Sequence, residues 1–255
     1  MDRKKPKVIT IASIKGGVGK STSAIIFAIL LSKKHKVLLI DMDTQASTTS
    51  YFYEIFEQNN FNIVSRNIYR VLKGSININK SIVAVDKNLD LLPSYLSLHL
   101  FNKEVINFKE LKLNEALTFL KIKYDFIILD TNPSLDYTLT NALVVSDYAI
   151  IPMTAEKWAV ESLQILEFYI KDLKLKIPTF IFITKFKKNN SHKFLLENLQ
   201  LKNNFLGSIS EREDLNKKIA ENNIFDLNKD YIKEYQSVLE LLFKKTGYKN
   251  EFNKV

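Results

Sequence analysis

The sequence predicts one α/β domain over residues 1–255, with a mostly parallel β-sheet covered by helices on both faces. Several short runs are apolar without alternation, which is typical of strands buried on both faces of a parallel sheet. Helical patterns separate these runs and imply right-handed crossover connections. The chain has 255 residues, 46% of them hydrophobic, and can therefore bury a substantial core.

The predicted elements alternate along the chain. The strands are rich in β-branched and aromatic residues and cover residues 8–14, 37–40, 126–129, 148–151 and 180–183. The helices cover residues 21–34, 111–121, 160–173, 191–201 and 231–245. Residues 61–88 give the weakest pattern, and we interpret them as an insertion or an edge region. Ligands of such sheets bind at the carboxyl ends of the strands. We therefore expect the chemistry in the loops after Ile14, Ile40, Leu129 and Ile183.

Composition excludes several classes of site. The chain contains no cysteine, which excludes a disulfide framework, an iron–sulfur cluster and a thiolate metal site. Any bound metal is therefore expected to have oxygen ligands. The longest apolar run, residues 24–31, is far shorter than the roughly 18 residues of a membrane span. We expect no transmembrane segment and a cytoplasmic location.

A glycine-rich turn follows the first predicted strand and leads into the first predicted helix. Gly16, Gly17 and Gly19 allow backbone N–H groups to point inward around an anion, and the next helix adds its positive N-terminal end. Lys20 would contact the β and γ phosphates, and Ser21 would offer a hydroxyl ligand to Mg²⁺. The turn therefore predicts a single-domain P-loop NTPase.

The turn departs from the usual P-loop pattern, because the first glycine of that pattern would fall at Ile14. With a lysine beside this position, the run KGGVGKST of residues 15–22 resembles the deviant Walker A loop of the ParA/MinD ATPases. Three further segments resemble the same family. LLIDMDTQA (38–46) resembles its switch I, FIILDTNPSL (126–135) its Walker B and switch II, and IIPMTAE (150–156) a later strand. The resemblance runs from about residue 8 to residue 246 and is most specific in the first 160 residues.

The resemblance implies a Mg²⁺-dependent ATPase that binds ATP and ADP. Its lysines differ in role: Lys20 would bind the nucleotide of its own chain, whereas Lys15 would reach the nucleotide of a second subunit. Thr22 would contact the α-phosphate, and Thr184 and Lys185 would lie near the adenine. The implied nucleotide-binding residues are Lys15, Gly16, Gly17, Val18, Gly19, Lys20, Ser21, Thr22, Thr184 and Lys185. Hydrolysis would then depend on dimerisation, because a second cation arrives only with the partner.

Three carboxylates follow predicted strands. Asp130 ends a buried strand, where an unpaired carboxylate is costly, so we predict that it binds Mg²⁺ directly or through water. The resemblance implies that Asp43 orients or activates the attacking water and that Asp41 supports the metal and its water shell. The alternative for Asp43 is a structural role as a helix N-cap. Thr44 and Asn132 replace prolines of the family pattern, so we expect both switches to be more mobile than usual.

The chain is basic, with a net charge of +9, and this charge favours a polyanionic partner. Residues 171–202 contain eight lysines and only two acidic residues. The resemblance and this charge together predict non-specific DNA binding. The candidate contacts are Lys185, Lys187, Lys188 and Arg212. The alternative is a solvated lysine-rich surface that reflects composition alone.

The function implied by the resemblance is ATP-dependent DNA partition. An ATP-bound sandwich homodimer would bind non-specific DNA on the nucleoid, and hydrolysis stimulated by a ParB-type centromere-binding protein would release it. Only seven residues precede the first predicted strand, so we expect no N-terminal helix-turn-helix domain. The alternative is a MinD-like membrane-surface ATPase that positions cell division. It would bind lipid through the amphipathic residues 231–245 and the tail 247–255, with Tyr248 and Phe252 inserted.

Overall fold

The computed structural model describes residues 5–221, 223 and 225–248. Eight strands in this part of the chain form one sheet. In chain order they are β1 (Lys7–Ile11), β2 (Val37–Met42), β3 (Val83–Asp86), β4 (Leu89–Leu92), β5 (Phe126–Thr131), β6 (Tyr148–Thr154), β7 (Thr179–Phe186) and β8 (Phe205–Ser210). Their order across the sheet is β3-β4-β2-β5-β1-β6-β7-β8. Only β3 and β4 pair in antiparallel fashion. The predicted α/β class with a mostly parallel sheet is confirmed.

Helices connect the strands and cover both faces of the sheet. They are α1 (Lys20–Ser32), α2 (Ser47–Tyr51), α3 (Tyr53–Gln58), α4 (Ile68–Leu72), α5 (Ile78–Ser81), α6 (Leu98–Phe101), α7 (Lys112–Thr118), α8 (Tyr137–Val145), α9 (Lys157–Asp172), α10 (Asn190–Gln200), α11 (Glu213–Ala220) and α12 (Asp230–Thr246), with a 3₁₀ turn at Lys109–Leu111. Each helix expected from the sequence is present with small shifts at its ends. The short helices α2 to α6, helices α8 and α11, and strands β3, β4 and β8 were not predicted.

Residues 61–88 form one edge of the sheet. They include α4, α5 and β3, and β3 is the outermost strand. Of the two interpretations offered by the sequence, the edge region is therefore the one observed. The antiparallel β3–β4 hairpin ends the sheet here, and a short strand of four residues limits pairing with other chains.

Alternate residues of the central strands contribute to different apolar clusters on the two faces of the sheet, and three such clusters form the core of the described residues. Ile9, Ile11 and Ile128 contribute to the core that includes α1 and α12. Val8 and Ile127 contribute to the core on the opposite face, which includes α4 and α7. Side chains of successive strand residues point to opposite faces, which explains why the sequence runs are apolar without alternation.

The apolar stripe of α12 faces the interior of the protein. Tyr235 is 2% exposed, and its ring makes an edge contact with Phe27 of α1 at a centroid distance of 5.5 Å. This face, expected to bind lipid in the membrane-surface alternative, is thus packed against the sheet. Residues 249–255, including Phe252, lie outside the described residues. Within the described part, no helix has the length and apolar character needed to cross a bilayer.

Candidate active site

The phosphate loop connects β1 to α1 and is shaped by two glycines in the left-handed region. Gly17 has φ +73° and Gly19 has φ +83°, where a side chain would strain the backbone. Gly19 is the N-cap of α1, a 13-residue helix whose first turn carries no acidic residue. The loop therefore ends at the positive pole of a helix, where phosphate groups bind.

Lys20 begins α1 and folds back over the loop. Its side chain is 7% exposed, and Nζ donates a hydrogen bond to the Lys15 carbonyl at 3.2 Å. Burial lowers the pKa of Lys20, while the charges of Asp130 and Asp43 oppose that shift. A buried ammonium held over the phosphate loop is suited to bind phosphate oxygens.

Thr184, which the resemblance places near the adenine, contacts the phosphate loop. Its hydroxyl donates to the Val18 carbonyl at 2.8 Å, and its side chain is buried. The next residue, Lys185, is exposed and has φ +51°. The structure therefore brings the carboxyl end of β7 to the loop, with Thr184 fixing the loop and Lys185 on the surface.

Asp130 lies at the carboxyl end of β5 and is completely buried. Its Oδ2 accepts a hydrogen bond from the Thr48 hydroxyl at 2.7 Å, whereas Oδ1 has no hydrogen-bond partner among the described residues. Burial raises the pKa of Asp130, and the Thr48 and Ser21 hydroxyls oppose the rise. The Ser21 hydroxyl thus lies close to this carboxylate without a well-formed hydrogen bond to Oδ1.

Asp41 is the register neighbour of Asp130 on β2 and is equally buried. Its Oδ1 accepts from the Asp43 amide at 3.0 Å, and its Oδ2 accepts from the amide and hydroxyl of Thr49 at 2.9 and 2.7 Å. Burial, followed by repulsion from Asp130, raises the pKa of Asp41. Both oxygens are therefore used to hold the segment that follows β2.

Asp43 is the third carboxylate, and it does not cap a helix. The following helix, α2, begins at Ser47 with Ala46 as its N-cap. The Asp43 Oδ1 instead accepts from the Gln45 amide at 2.9 Å within a turn. The N-cap alternative is therefore wrong, and Oδ2 of Asp43 has no hydrogen bond to another described residue.

Lys15 reaches across the loop to the carboxyl end of β6. Its ammonium is paired with the Glu156 carboxylate and lies 3.5 Å from the Thr154 hydroxyl. Hydrogen bonding to Lys15 lowers the pKa of Glu156. In the single chain, the second lysine of the loop is thus bound to a residue just before α9.

Asn132 holds the segment after β5 through its side chain. Its amide donates to the Asp136 carboxylate at 2.8 Å and to the Thr138 hydroxyl at 3.0 Å. Asp136 in turn caps α8 by accepting from the Thr138 and Leu139 amides. Where we expected a loosened switch, Asn132 therefore supplies hydrogen bonds in place of a proline ring.

The four candidate DNA contacts lie at the carboxyl ends of β7 and β8 or just after them, but two of them are paired with carboxylates. Lys187 pairs with Glu211 at 3.0 Å, and Arg212 pairs with Glu234 at 3.4 Å. Lys185 and Lys188 are exposed and make no ion pair with a described residue. This surface therefore retains less positive charge than its sequence indicates.

The residues of the site fit a nucleotide phosphate with Mg²⁺. Among the described residues, no group of three or more His, Asp or Glu side chains could hold a metal by itself. Mg²⁺ usually keeps several waters and binds through one or two carboxylates plus substrate phosphates. The buried carboxylate of Asp130, with its unpartnered Oδ1, and the nearby Ser21 hydroxyl match that donor set.

Three contributors to the site were missed at the sequence level. Thr48 and Thr49 bind the two buried aspartates, and Glu156 pairs with Lys15. A signal for the threonines was available, because the hydroxyl residues Ser47, Thr48, Thr49 and Ser50 follow Asp41 within nine positions. The Lys15–Glu156 pair spans 141 positions and depends on β1 and β6 being neighbours.

Comparison with known proteins extends these observations. The profile of a family described as AAA domain matches residues 6–183, a range that includes the phosphate loop and all three aspartates. A crystal structure described as a plasmid partition protein of Borrelia burgdorferi B31 bound to AMPPNP is 63% identical, covers 94% of this chain and 100% of that chain, and has a TM-score of 0.93. The sporulation initiation inhibitor protein Soj of Bacillus subtilis is 35% identical over 161 residues, 62% of each chain. The chromosome partitioning protein ParA of Myxococcus xanthus is 34% identical over 161 residues, 62% of this chain and 55% of that protein.

Proposed function

The chain belongs to the ParA/MinD family of P-loop ATPases, close to the ParA partition proteins, and from this premise we propose that it is an ATP-dependent DNA partition ATPase. In this proposal an ATP-bound homodimer binds non-specific DNA on the nucleoid in the cytoplasm. Hydrolysis, stimulated by a ParB-type protein, releases the DNA. The plasmid partition protein of Borrelia burgdorferi, at 63% identity, supports this reading.

The observation that carries the proposal is the arrangement around Asp130. The Asp130 carboxylate lies close to the Ser21 hydroxyl at the N-terminus of α1 and to the buried Lys20, and its Oδ1 has no hydrogen-bond partner among the described residues. Ser21 and Asp130 would hold Mg²⁺, directly or through water. When bound, Mg²⁺ would neutralise charge on the phosphate oxygens during phosphoryl transfer.

The remaining residues divide the work of hydrolysis. Gly16 to Gly19 would direct backbone N–H groups at the phosphates, and Lys20 would hold their terminal oxygens. Asp43 would orient the attacking water, because its Oδ2 is not used by a described residue and its backbone is fixed by Asp41. Asp41 would act as a positioning residue for the segment that carries Asp43.

Lys15 would make hydrolysis depend on assembly. In the single chain its charge is taken up by Glu156. In a dimer with the two phosphate loops facing each other, Lys15 of one protomer would reach the nucleotide of its partner. A cation supplied only by the partner would stabilise the transition state in the dimer and not in the monomer.

The test is DNA binding by the full chain with Mg²⁺ and ATP, ADP or no nucleotide. Wild-type protein and Asp43→Ala are compared on a duplex of random sequence across a salt series. The variant should bind ATP and dimerise but lose at least a hundred-fold in turnover, a typical share for general-base catalysis. Its DNA complex with ATP should therefore persist longer than that of the wild type.

Two results would count against the proposal. Equal DNA binding in all nucleotide states would remove the ATP-gated step. Normal turnover in Asp43→Ala would remove Asp43 from hydrolysis. Asp86→Ala serves as the matched control, because that aspartate is exposed on the outermost strand β3, away from the phosphate loop, and should leave both measurements unchanged.

A further inference from the structure

The segments that precede the parallel strands all lie along the edge of the sheet opposite the phosphate loop. This follows from the parallel pairing of β2, β5, β1, β6, β7 and β8, which places their amino ends side by side. Six exposed lysines occupy these segments, and we name them the basic edge: Lys33, Lys121, Lys123, Lys174, Lys176 and Lys202. We propose that the basic edge is a second DNA-binding surface, one that contacts the phosphate backbone of a duplex without requiring nucleotide.

None of the six lysines of the basic edge makes an ion pair with any residue that the structure describes. Two acidic residues near this edge pair with other cations, Asp147 with Lys7 at 2.9 Å and Asp90 with Lys36 at 2.8 Å. Asp172, two positions before Lys174, is exposed and makes no ion pair within the described part of the chain, so the six lysines still outnumber the free carboxylate. Asp125 accepts a hydrogen bond from the Lys36 amide. A row of cations without partners is free to neutralise phosphates.

A neighbouring contact adds to the same surface. Lys245, at the end of α12, donates to the Asn203 carbonyl at 2.6 Å, which places it next to Lys202 at the start of β8. The carbonyl fixes the Lys245 ammonium but does not neutralise its charge. The positive row therefore continues to the last strand of the sheet.

Positive charge at the opposite edge is arranged differently. There Lys15 pairs with Glu156, Lys187 with Glu211 and Arg212 with Glu234, while Lys185 and Lys188 make no ion pair with a described residue. What distinguishes the basic edge is that its six unpaired lysines follow the strand order in one row.

The shape of the basic edge favours a duplex. Neighbouring strands are about 4.8 Å apart, so the row from β2 to β8 extends roughly 24 Å. A duplex carries one negative charge per roughly 1.7 Å of its axis, so a row of this length follows about seven base pairs. A narrow row of cations fits a rod of charge better than it fits a flat anionic membrane.

Nucleotide and DNA would act from opposite ends of the same strands. The strands of five to eight residues separate the two edges by roughly 15–25 Å. The inference rests on the proposed function for the identity of the polyanion, but it does not need the ATP-gated step. In an ATP-bound dimer, two basic edges would be linked and could hold two DNA segments with increased avidity.

The experiment neutralises three lysines of the basic edge in the full chain, as Lys121→Gln/Lys123→Gln/Lys176→Gln. The matched control is Lys103→Gln/Lys193→Gln/Lys217→Gln, which removes the same charge from exposed lysines away from the basic edge. Lys103 and Lys193 make no ion pair with a described residue, and Lys217 makes a long one with Glu221 at 3.9 Å. Affinity for a fluorescent 20-base-pair duplex is measured without nucleotide at several salt concentrations. Circular dichroism and ATP binding confirm that both variants are folded.

We expect the edge variant to lose ten-fold or more in affinity at low salt. The slope of log affinity against log salt should fall by two to three units, since each phosphate contact contributes about 0.9. The control should stay within about three-fold of the wild type. An equal loss in both variants would overturn the inference, because net charge alone would then explain binding.

Other outcomes separate this inference from the proposed function. If the wild type binds DNA only with ATP and the edge variant matches it, the inference is overturned while the proposed function stands. A second outcome is that ATP increases DNA binding by the wild type, and that the edge variant, unlike the control, loses the DNA binding seen without nucleotide. In that case both the inference and the proposed function stand. If the edge variant loses binding to phosphatidylglycerol vesicles but not to DNA, the basic edge is a membrane surface and the inference is overturned.

Discussion

Lys15 is paired with Glu156 of its own chain, although the family resemblance assigns this lysine to the nucleotide of a second subunit. The pair joins the phosphate loop after β1 to the end of β6, the strand hydrogen-bonded beside it. Dimerisation in the proposed manner must therefore exchange one partner of Lys15 for another. The strength of the Lys15–Glu156 pair would tune how readily the dimer forms.

Glu156→Gln should favour the ATP-dependent dimer. Glu156 is about half exposed, and exposed ion pairs contribute at most about 1 kcal/mol each. Because each of the two protomers gives up one such pair, the dimerisation constant should rise by up to about thirty-fold. Sedimentation velocity with ATP and Mg²⁺ measures the shift. Glu161→Gln, which alters an exposed and unpaired carboxylate of the same helix, should leave the constant unchanged. A weaker dimer in Glu156→Gln would place Glu156 in the interface instead.

Substitution of the two lysines of the phosphate loop should affect different steps, ATP binding for Lys20 and hydrolysis for Lys15. Lys20→Ala removes a buried ammonium from the phosphate site and should weaken ATP binding at least ten-fold, because charge-assisted hydrogen bonds are lost. Lys15→Ala should keep ATP affinity within a few-fold and lose hydrolysis at saturating protein. Titration with a fluorescent ATP analogue and a phosphate-release assay distinguish the two. Equal loss of ATP affinity in both variants would contradict the division of roles.

Thr48→Val should destabilise the fold before any ligand binds. The Thr48 hydroxyl is the described hydrogen-bond donor to Asp130, and without it both oxygens of a buried carboxylate would lack a partner. Loss of one partner in such a pair costs about 1–3 kcal/mol. Urea unfolding in EDTA measures the change. Thr44→Val makes the same change in side-chain shape at a position where the hydroxyl has no partner among the described residues. The urea concentration at its unfolding midpoint should therefore move little.

The sequence made the strands and their loops predictable, because buried parallel strands and glycine turns have strong local patterns. The phosphate loop, Asp41, Asp43 and Asp130 were all located in this way. Strand β8 was not predicted, because Gly207 and serines interrupt its run of apolar residues. Helix α8 was not predicted, because its first turn is polar and its N-terminus is capped by Asp136.

Contacts between distant segments were the part that the sequence could not supply. The ion pairs are one example. The sequence suggests that Arg212 and Lys187 are available to bind DNA, and only the fold shows that they form ion pairs with Glu234 and Glu211. The basic edge is another, since its lysines are scattered along the chain and are aligned only by the strand order. Local patterns identify which residues carry charge, whereas the topology determines which of these charges have no ion-pair partner.

Asp130→Asn and Asp41→Asn should have opposite effects on stability, even though the two aspartates are register neighbours and equally buried. An amide at position 130 can keep the hydrogen bond from Thr48, offers its N–H₂ where Oδ1 has no partner, and removes a charge whose burial is unfavourable. At position 41 both oxygens accept from N–H or O–H donors, so an amide nitrogen must face one of them. Without Mg²⁺, Asp130→Asn should therefore be as stable as the wild type or more stable by about 1 kcal/mol, whereas Asp41→Asn should lose about 1–3 kcal/mol. Urea unfolding in EDTA gives both values, and phosphate release with Mg²⁺ should be lost in Asp130→Asn. Equal destabilisation of the two variants would mean that Oδ1 of Asp130 has a structural partner, and it would remove the main support for a metal at this carboxylate.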